Sequence, residues 1–307
     1  MRHVVIGGAG FVGSHLVDAL VLQGKETIII DDFSAGRFDG QLNNAAVYHE
    51  VDMRNQKSLQ EIFKQGDVVY LLAAVVSVAR SVDDPVYAHD VNVNGALAVL
   101  ETARHGHVAR VVVMSSAAVY GDTAIPPVVE ETSLRALSPY GLHKIINEQQ
   151  AQLFNELYGV PTTILRPFNI FGPRQRGDSS YAGVIARFFD DLRHGKDLTI
   201  EGDGAQTRDF VYVLDVVRAL IVAGEHPAAI GQVFNVGGGH GISIKRVAEV
   251  MVAMYGGAAS IRHVNPRRGD IRDSVAAIDR IHTHLGWVPQ IPLEEGLYLT
   301  MNYSESE

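Results

Sequence analysis

The sequence predicts an α/β protein built on a doubly wound parallel sheet (Rossmann type), with a smaller C-terminal substrate-binding region. Three observations carry this. Short β-branched runs alternate with helical patterns through the first half of the chain. Those runs are apolar throughout instead of alternating in and out, as suits strands buried on both faces. A glycine-rich turn, Gly7-Gly8-Ala9-Gly10-Phe11-Val12-Gly13, joins the first strand run to the first helical run. Strand–helix alternation with both faces covered implies a parallel sheet.

In order, strand runs fall at residues 4–6, 27–30, 47–51, 68–72, 111–114 and 162–165. Helical patterns fall at 11–23, 58–65, 86–105 and 140–158. The apolar stripes on 86–100 and 145–157 read as mainly core. After Pro167 the elements shorten, and Gly202-Asp203-Gly204 and Gly237-Gly238-Gly239 mark loops. Residues 1–170 are expected to form a dinucleotide-binding unit, and 171–307 a substrate region partly interleaved with it. The last four residues read as a solvated tail.

Composition removes several classes. The chain has 307 residues, 47% hydrophobic and 20% charged, which is globular composition with enough length for a sizeable core. A net charge of −9 argues against nonspecific nucleic-acid binding, which needs a basic face. No cysteine is present, so disulfides, thiolate catalysis, cysteine zinc sites and iron–sulfur clusters are excluded. Among the 13 histidines, His282 and His284 are two apart and diverge on a helix, so no metal site is expected. No apolar run approaches the ~20 residues of a membrane span. Met1-Arg2-His3 leads straight into a strand run, unlike a signal peptide. A cytoplasmic protein with no membrane partner is expected.

Glycines at 7, 10 and 13 give a tight turn, close approach of backbone to a pyrophosphate, and close packing of helix on strand. The helix N-terminus then offers free N–H groups and a positive dipole end to phosphates. Glycines also end strands for structural reasons alone, but the context is specific. Asp31 closes the second strand run, 18 residues past Gly13. A carboxylate there accepts ribose hydroxyls and repels a 2′-phosphate, which favours NAD over NADP. Asp52, after the third strand run, could reach an adenine amine.

Tyr140 and Lys144 are four residues apart on one helical pattern and share a face. A free tyrosine, with a pKa near 10, is a poor base. A nearby ammonium favours the phenolate, by roughly 1–3 units, and makes it a usable general base. His143 falls off that shared face. Ser116, following the strand run at 111–114, would sit at the carboxyl end of the sheet, where open α/β folds bind ligands. Its hydroxyl could donate to a substrate oxygen.

The glycine pattern, Asp31, Ser116 and Tyr140-xxx-Lys144, in this order, resemble the extended short-chain dehydrogenase/reductase superfamily. Within it the chain resembles NAD-dependent sugar-nucleotide epimerases and dehydratases, UDP-glucose 4-epimerase-like enzymes most closely. The stretch Asp31-Asp32-Phe33-Ser34-Ala35-Gly36-Arg37 carries the resemblance, as do Leu72-Ala73-Ala74 and Asn92-Val93-Asn94-Gly95. Leu71 replaces the family's usual histidine. Further matches are Arg166-Pro167-Phe168-Asn169, Gly172-Pro173-Arg174, the loop from Gly202 to Phe210, Arg267-Arg268-Gly269-Asp270 and Leu285-Gly286-Trp287.

The resemblance implies roles at these positions. Ser116, Tyr140 and Lys144 would be catalytic. Gly7, Gly10, Phe11, Val12, Gly13, Asp31, Asp32, Phe33, Ser34, Asp52, Met53, Leu72, Ala73, Ala74, Asn92 and Phe168 would hold NAD, with Tyr140 and Lys144. Asn169, Arg208 and Arg267 would hold the diphosphate or nucleotide of a sugar substrate, and Asp270 a ribose. Two of the apolar helices would pair across a homodimer.

The positions after Ser116 discriminate between reactions. Related 4,6-dehydratases carry an Asp-Glu pair there, and related decarboxylases a glutamate. Here Ala117 and Ala118 stand instead, and methyl groups transfer no protons. The expectation is C4 epimerisation of a nucleotide sugar, a UDP-hexose, through a 4-keto sugar. A 4-ketoreductase or another epimerase of the family is the nearer alternative. A non-catalytic dinucleotide sensor is the further one, but it would have no use for Ser116, Tyr140 and Lys144 together.

Overall fold

A computed structural model describes residues 1–34, 42–122, 125–176, 183–266 and 271–303. The first strand, β1 (Arg2–Ile6), leads into α1 (Phe11–Leu22), β2 (Glu26–Asp31) and β3 (Val47–Glu50). Next come α2 (Gln56–Ile62), β4 (Val68–Leu71), α3 (Val78–Asp83), α4 (Pro85–His89) and α5 (Gly95–His105). Then follow β5 (Arg110–Met114), α6 (Pro139–Tyr158) and β6 (Thr162–Pro167).

The second part contributes β7 (Asn169–Phe171), α7 (Val184–Arg193), β8 (Leu198–Glu201), β9 (Thr207–Arg208) and β10 (Phe210–Tyr212). It continues with α8 (Val213–Glu225), β11 (Val233–Val236), β12 (Ile242–Ser243), α9 (Ile244–Met254) and β13 (Ile261–Val264). Last are β14 (Asp273–Ser274), α10 (Asp279–Leu285) and α11 (Leu293–Met301).

Seven parallel strands form the main sheet in the order β11-β6-β5-β4-β1-β2-β3. The order reverses at β1, so a crevice opens outside the carboxyl ends of β1 and β4. Helices cover both faces. Leu16 and Leu20 of α1 pack with Val216 and Leu220 of α8 on one face. Leu59, Val99, Leu100 and Phe154 pack on the other. The strands are apolar on both sides for this reason. β11 and α8 lie in the second part of the chain yet complete the sheet and one of its layers. α10 also joins that layer through Ile281 and Leu285, whereas α7, α9 and α11 pack around Phe171, Phe188 and Tyr212.

Local sequence sets the helix that matters most. Ser138 caps α6, accepting the Gly141 N–H at 3.1 Å, Pro139 opens it, and Gly159 at φ +65° ends it. The helix expected over 86–105 is instead split. Asp84 caps α4 and Pro85 starts it, and a π turn at Asp90–Asn94 precedes α5. In that wide turn the Asn92 side-chain amide swings inward, accepting the Val75 N–H at 2.7 Å and donating to the Val75 carbonyl at 3.1 Å. The two apolar stripes are only partly core, because Val86, Leu97, Leu153 and Leu157 are exposed. Among the described residues no helix is long and apolar enough to cross a membrane.

Candidate active site

At the crevice the binding surface is backbone. Gly7, at φ +84°, is where a Cβ would stand 2.6 Å from the Ala73 nitrogen. A Cβ on Gly13 would stand 2.0 Å from the Gly7 carbonyl oxygen. Neither position has room for a side chain, so β1, the turn and α1 close up as a phosphate cradle requires. Gly10 caps α1 without a side chain, and the first turn has no acidic residue. Its N–H groups and dipole are therefore available to an anion.

Asp31 ends β2 beside this turn. Its carboxylate accepts the Ala9 N–H at 3.0 Å and the Phe33 N–H at 2.9 Å. Burial pushes its pKa up, and those two bonds pull it back. Asp32 accepts the Ser34 N–H and hydroxyl. Asp31, Asp32, Ser34, Asp52, Met53, Ala73 and Ala74 line one cleft, with Arg80 and Tyr87 at its wall. The Asp52 carboxylate pairs with Arg54, which lowers its pKa.

Other residues expected at the cofactor pack behind the cleft or into the core. Asn92 is buried and holds Val75, a lining residue. Leu72 packs into the core. Phe168 packs with Tyr120 and Val119. Phe11 and Val12 face the core of the second part.

The three residues expected to be catalytic, Ser116, Tyr140 and Lys144, lie at the neighbouring strand end. Ser116 follows β5 and starts the short 3-10 turn Ala117–Val119, accepting the Ala118 N–H at 3.1 Å. Its side chain acts on the Tyr140 phenol, pulling that group's pKa down against the effect of burial. The Tyr140 N–H donates to Ser81, a fully buried serine on α3 that the sequence reading did not single out. The Lys144 ammonium donates to the Met114 carbonyl at 2.7 Å and stands 5.7 Å from the Tyr140 ring centre.

The electrostatics differ from the expectation that Lys144 simply acidifies Tyr140. Tyr140 is 9% exposed, and burial pushes its pKa up, with Ser116 the opposing influence. Lys144 is 4% exposed, and burial pushes it down to about 8, with Glu148 opposing. A buried pocket penalises both charged forms. His143 is buried too, with Nδ1 3.4 Å from the Asn92 amide and its ring against His89.

On the substrate side, Asn169 donates its backbone and side-chain N–H groups to the Asp209 carbonyl, both at 3.0 Å. Arg208 donates to the Thr207 carbonyl at 2.8 Å. Asp209, within the matched loop from Gly202 to Phe210, takes a role that the sequence does not show. Its buried carboxylate accepts N–H groups from Gly238, Gly239 and Ala276, and burial lifts it to about 6. It joins the segment after Arg208 to the Gly238–Gly239 turn and to Ala276, while the Asp209 carbonyl holds Asn169. Arg267, Arg268, Gly269 and Asp270 lie outside the described residues, as do Ala35, Gly36, Arg37 and the tail from Ser304 to Glu307.

Residues 3–237 match the NAD dependent epimerase/dehydratase family. The chain belongs to that family. This family member is 36% identical over 305 residues to a putative UDP-glucose 4-epimerase of Methanocaldococcus jannaschii, covering 99% of this chain and 98% of the relative. A UDP-glucose 4-epimerase of Thermotoga maritima, solved with UDP-glucose, superposes with a TM-score of 0.93 at 35% identity, over 99% of this chain and 98% of that one. A Thermus thermophilus UDP-glucose 4-epimerase solved with NAD gives 0.88 at 32% identity, over 98% of each chain. NAD is the cofactor of this family member, and the cradle at Gly7 and Gly13 with the uncapped α1 N-terminus fits its pyrophosphate.

Proposed function

We propose that the protein inverts C4 of a UDP-hexose, of the UDP-glucose/UDP-galactose type, through a transient 4-keto sugar. Family membership leaves the reaction open, because the family spans epimerases and dehydratases. The observation that carries the reading is the catalytic corner itself. Ser116 acts on the Tyr140 phenol, the Lys144 ammonium stands 5.7 Å from the Tyr140 ring centre, and the adjoining turn offers the methyls of Ala117 and Ala118. That set moves one proton to and from a hydroxyl and supplies no second acid for eliminating water or carbon dioxide.

Tyr140 takes the C4 hydroxyl proton as general base and later returns it. Ser116 donates a hydrogen bond to the same oxygen. Lys144, as the ammonium, favours the phenolate and offers donors to a ribose hydroxyl. NAD, when bound, supplies hydride uptake and return at C4. Asp31, Asp32 and Asp52 hold its adenosine end. Asn169, Arg208 and Arg267 hold the nucleotide diphosphate, and Asp270 a ribose, while the keto sugar turns over.

The test is to incubate the purified protein with UDP-galactose without added cofactor and read C4 configuration by NMR. Both epimers are expected at equilibrium, with NAD retained on the protein. A single epimer, with NAD bound, overturns the reading. A homodimer is part of the proposal, supported by the exposed Leu97 on α5 and Leu142, Leu153 and Leu157 on α6. Light scattering that gives a monomer removes the dimer.

A further inference from the structure

One buried ion pair lies directly behind the catalytic trio. Glu148 sits one turn beyond Lys144 on α6, so Tyr140, Lys144 and Glu148 form one stripe. Its carboxylate is 2% exposed. Arg166 of β6 grips it as a fork, Nε to Oε1 at 2.9 Å and Nη2 to Oε2 at 2.6 Å. The Ser115 hydroxyl, on the residue next to Ser116, donates to the same carboxylate. The Arg166 Nη1 donates to the Tyr120 hydroxyl (2.8 Å) and the Glu130 carbonyl (2.9 Å).

A buried pair of this kind is weak evidence for stability, since matched apolar residues often do as well. Its position is more telling, because one carboxylate joins α6 to the ends of both β5 and β6. Resting on the catalytic reading above, we infer that Glu148 is a positioning residue. It clamps the end of β5 to α6 and so holds Ser116 and Lys144 in register with Tyr140. It also faces Lys144 as the charge that opposes the effect of burial. The other ionisable groups around Lys144 are Tyr140 and His143 on α6, with His89 of α4 against His143. Arg166, Tyr120 and Glu130 stand beyond Glu148.

The experiment measures kcat and KM against pH, with melting curves, for the holoenzyme and four variants. Glu148→Gln is expected to keep KM within a few-fold while kcat falls roughly ten- to hundredfold. Its alkaline limb moves down by about one pH unit, because Lys144 loses its opposing charge. Glu148→Gln/Arg166→Met removes the pair without stranding a buried cation and carries the same expected limb shift. Ser115→Ala leaves the pair intact and lowers kcat several-fold at unchanged KM. Wild-type kcat in Ser115→Ala, or a wild-type pH profile in a folded Glu148 variant, overturns the inference. Tyr140→Phe separates the two failures. If it turns over at the wild-type rate, the catalytic reading falls. If it is inactive while the Glu148 and Ser115 variants behave as wild type, only the positioning role falls.

Discussion

The cradle at the end of β1 is made of backbone, with Gly7 and Gly13 placed where no Cβ fits. The corner at the end of β5 is made of buried side chains that are expensive to keep charged. Both lie on one edge of one sheet. In the cradle, affinity comes from shape and from free N–H groups, and little there titrates. In the corner, reactivity comes from pKa values, which depend on everything packed around Tyr140 and Lys144. A steric change should therefore damage the first region and an electrostatic change the second.

The largest expected effect tests the corner. Tyr140→Phe should lower kcat by roughly 10²–10⁴, with bound NAD unchanged when the protein is denatured and assayed for dinucleotide. Loss of NAD from that variant would show that the two regions are not separable. Next, Gly13→Ala forces a methyl against the Gly7 carbonyl. It should destabilise the protein by about 1–3 kcal/mol and purify depleted of dinucleotide. A full NAD complement with an unchanged melting curve would break the steric account of the cradle.

Lys144→Met sharpens the contrast. Burial holds the Lys144 amine near 8, below its ordinary 10.5, so the folded chain binds that proton more weakly than the unfolded chain. Below pH 8 both states are protonated and the full penalty stands; between 8 and 10.5 it fades. The variant should be inactive yet more stable at pH 7, by on the order of 1–3 kcal/mol, with the gain vanishing as pH approaches 10.5. A melting curve that falls at pH 7 would refute the burial argument. The smallest effect is at Asp31→Asn, which should cost about 1 kcal/mol in NAD affinity and narrow the preference over NADP, read by titration of both dinucleotides into stripped protein.

The two regions were not equally legible. Gly7, Gly10, Gly13 and Asp31 could be read directly, because chain geometry alone demands glycine at a close backbone approach and a carboxylate at the next strand end. Tyr140 and Lys144 were visible as a helical pair, but Glu148, one turn further along the same face, was passed over. Its partners Ser115 and Arg166 come from strands 33 and 18 residues away in sequence. Ser81 carries no signal until the backbone group it serves is known, and Asp209, though inside the matched loop from Gly202 to Phe210, shows its role only once Gly238, Gly239 and Ala276 are placed around it. The break at Asp90–Asn94 also escaped, because it follows from Asn92 reaching Val75.

What the sequence determined alone was the alternation of elements, the glycine turn and the residue types able to move a proton, since each depends on neighbours within a few turns of chain. The tertiary structure decided which carboxylate faces which cation and how far burial shifts Tyr140 and Lys144. Those are properties of the space around a group, and that space is assembled from segments that the chain order keeps far apart.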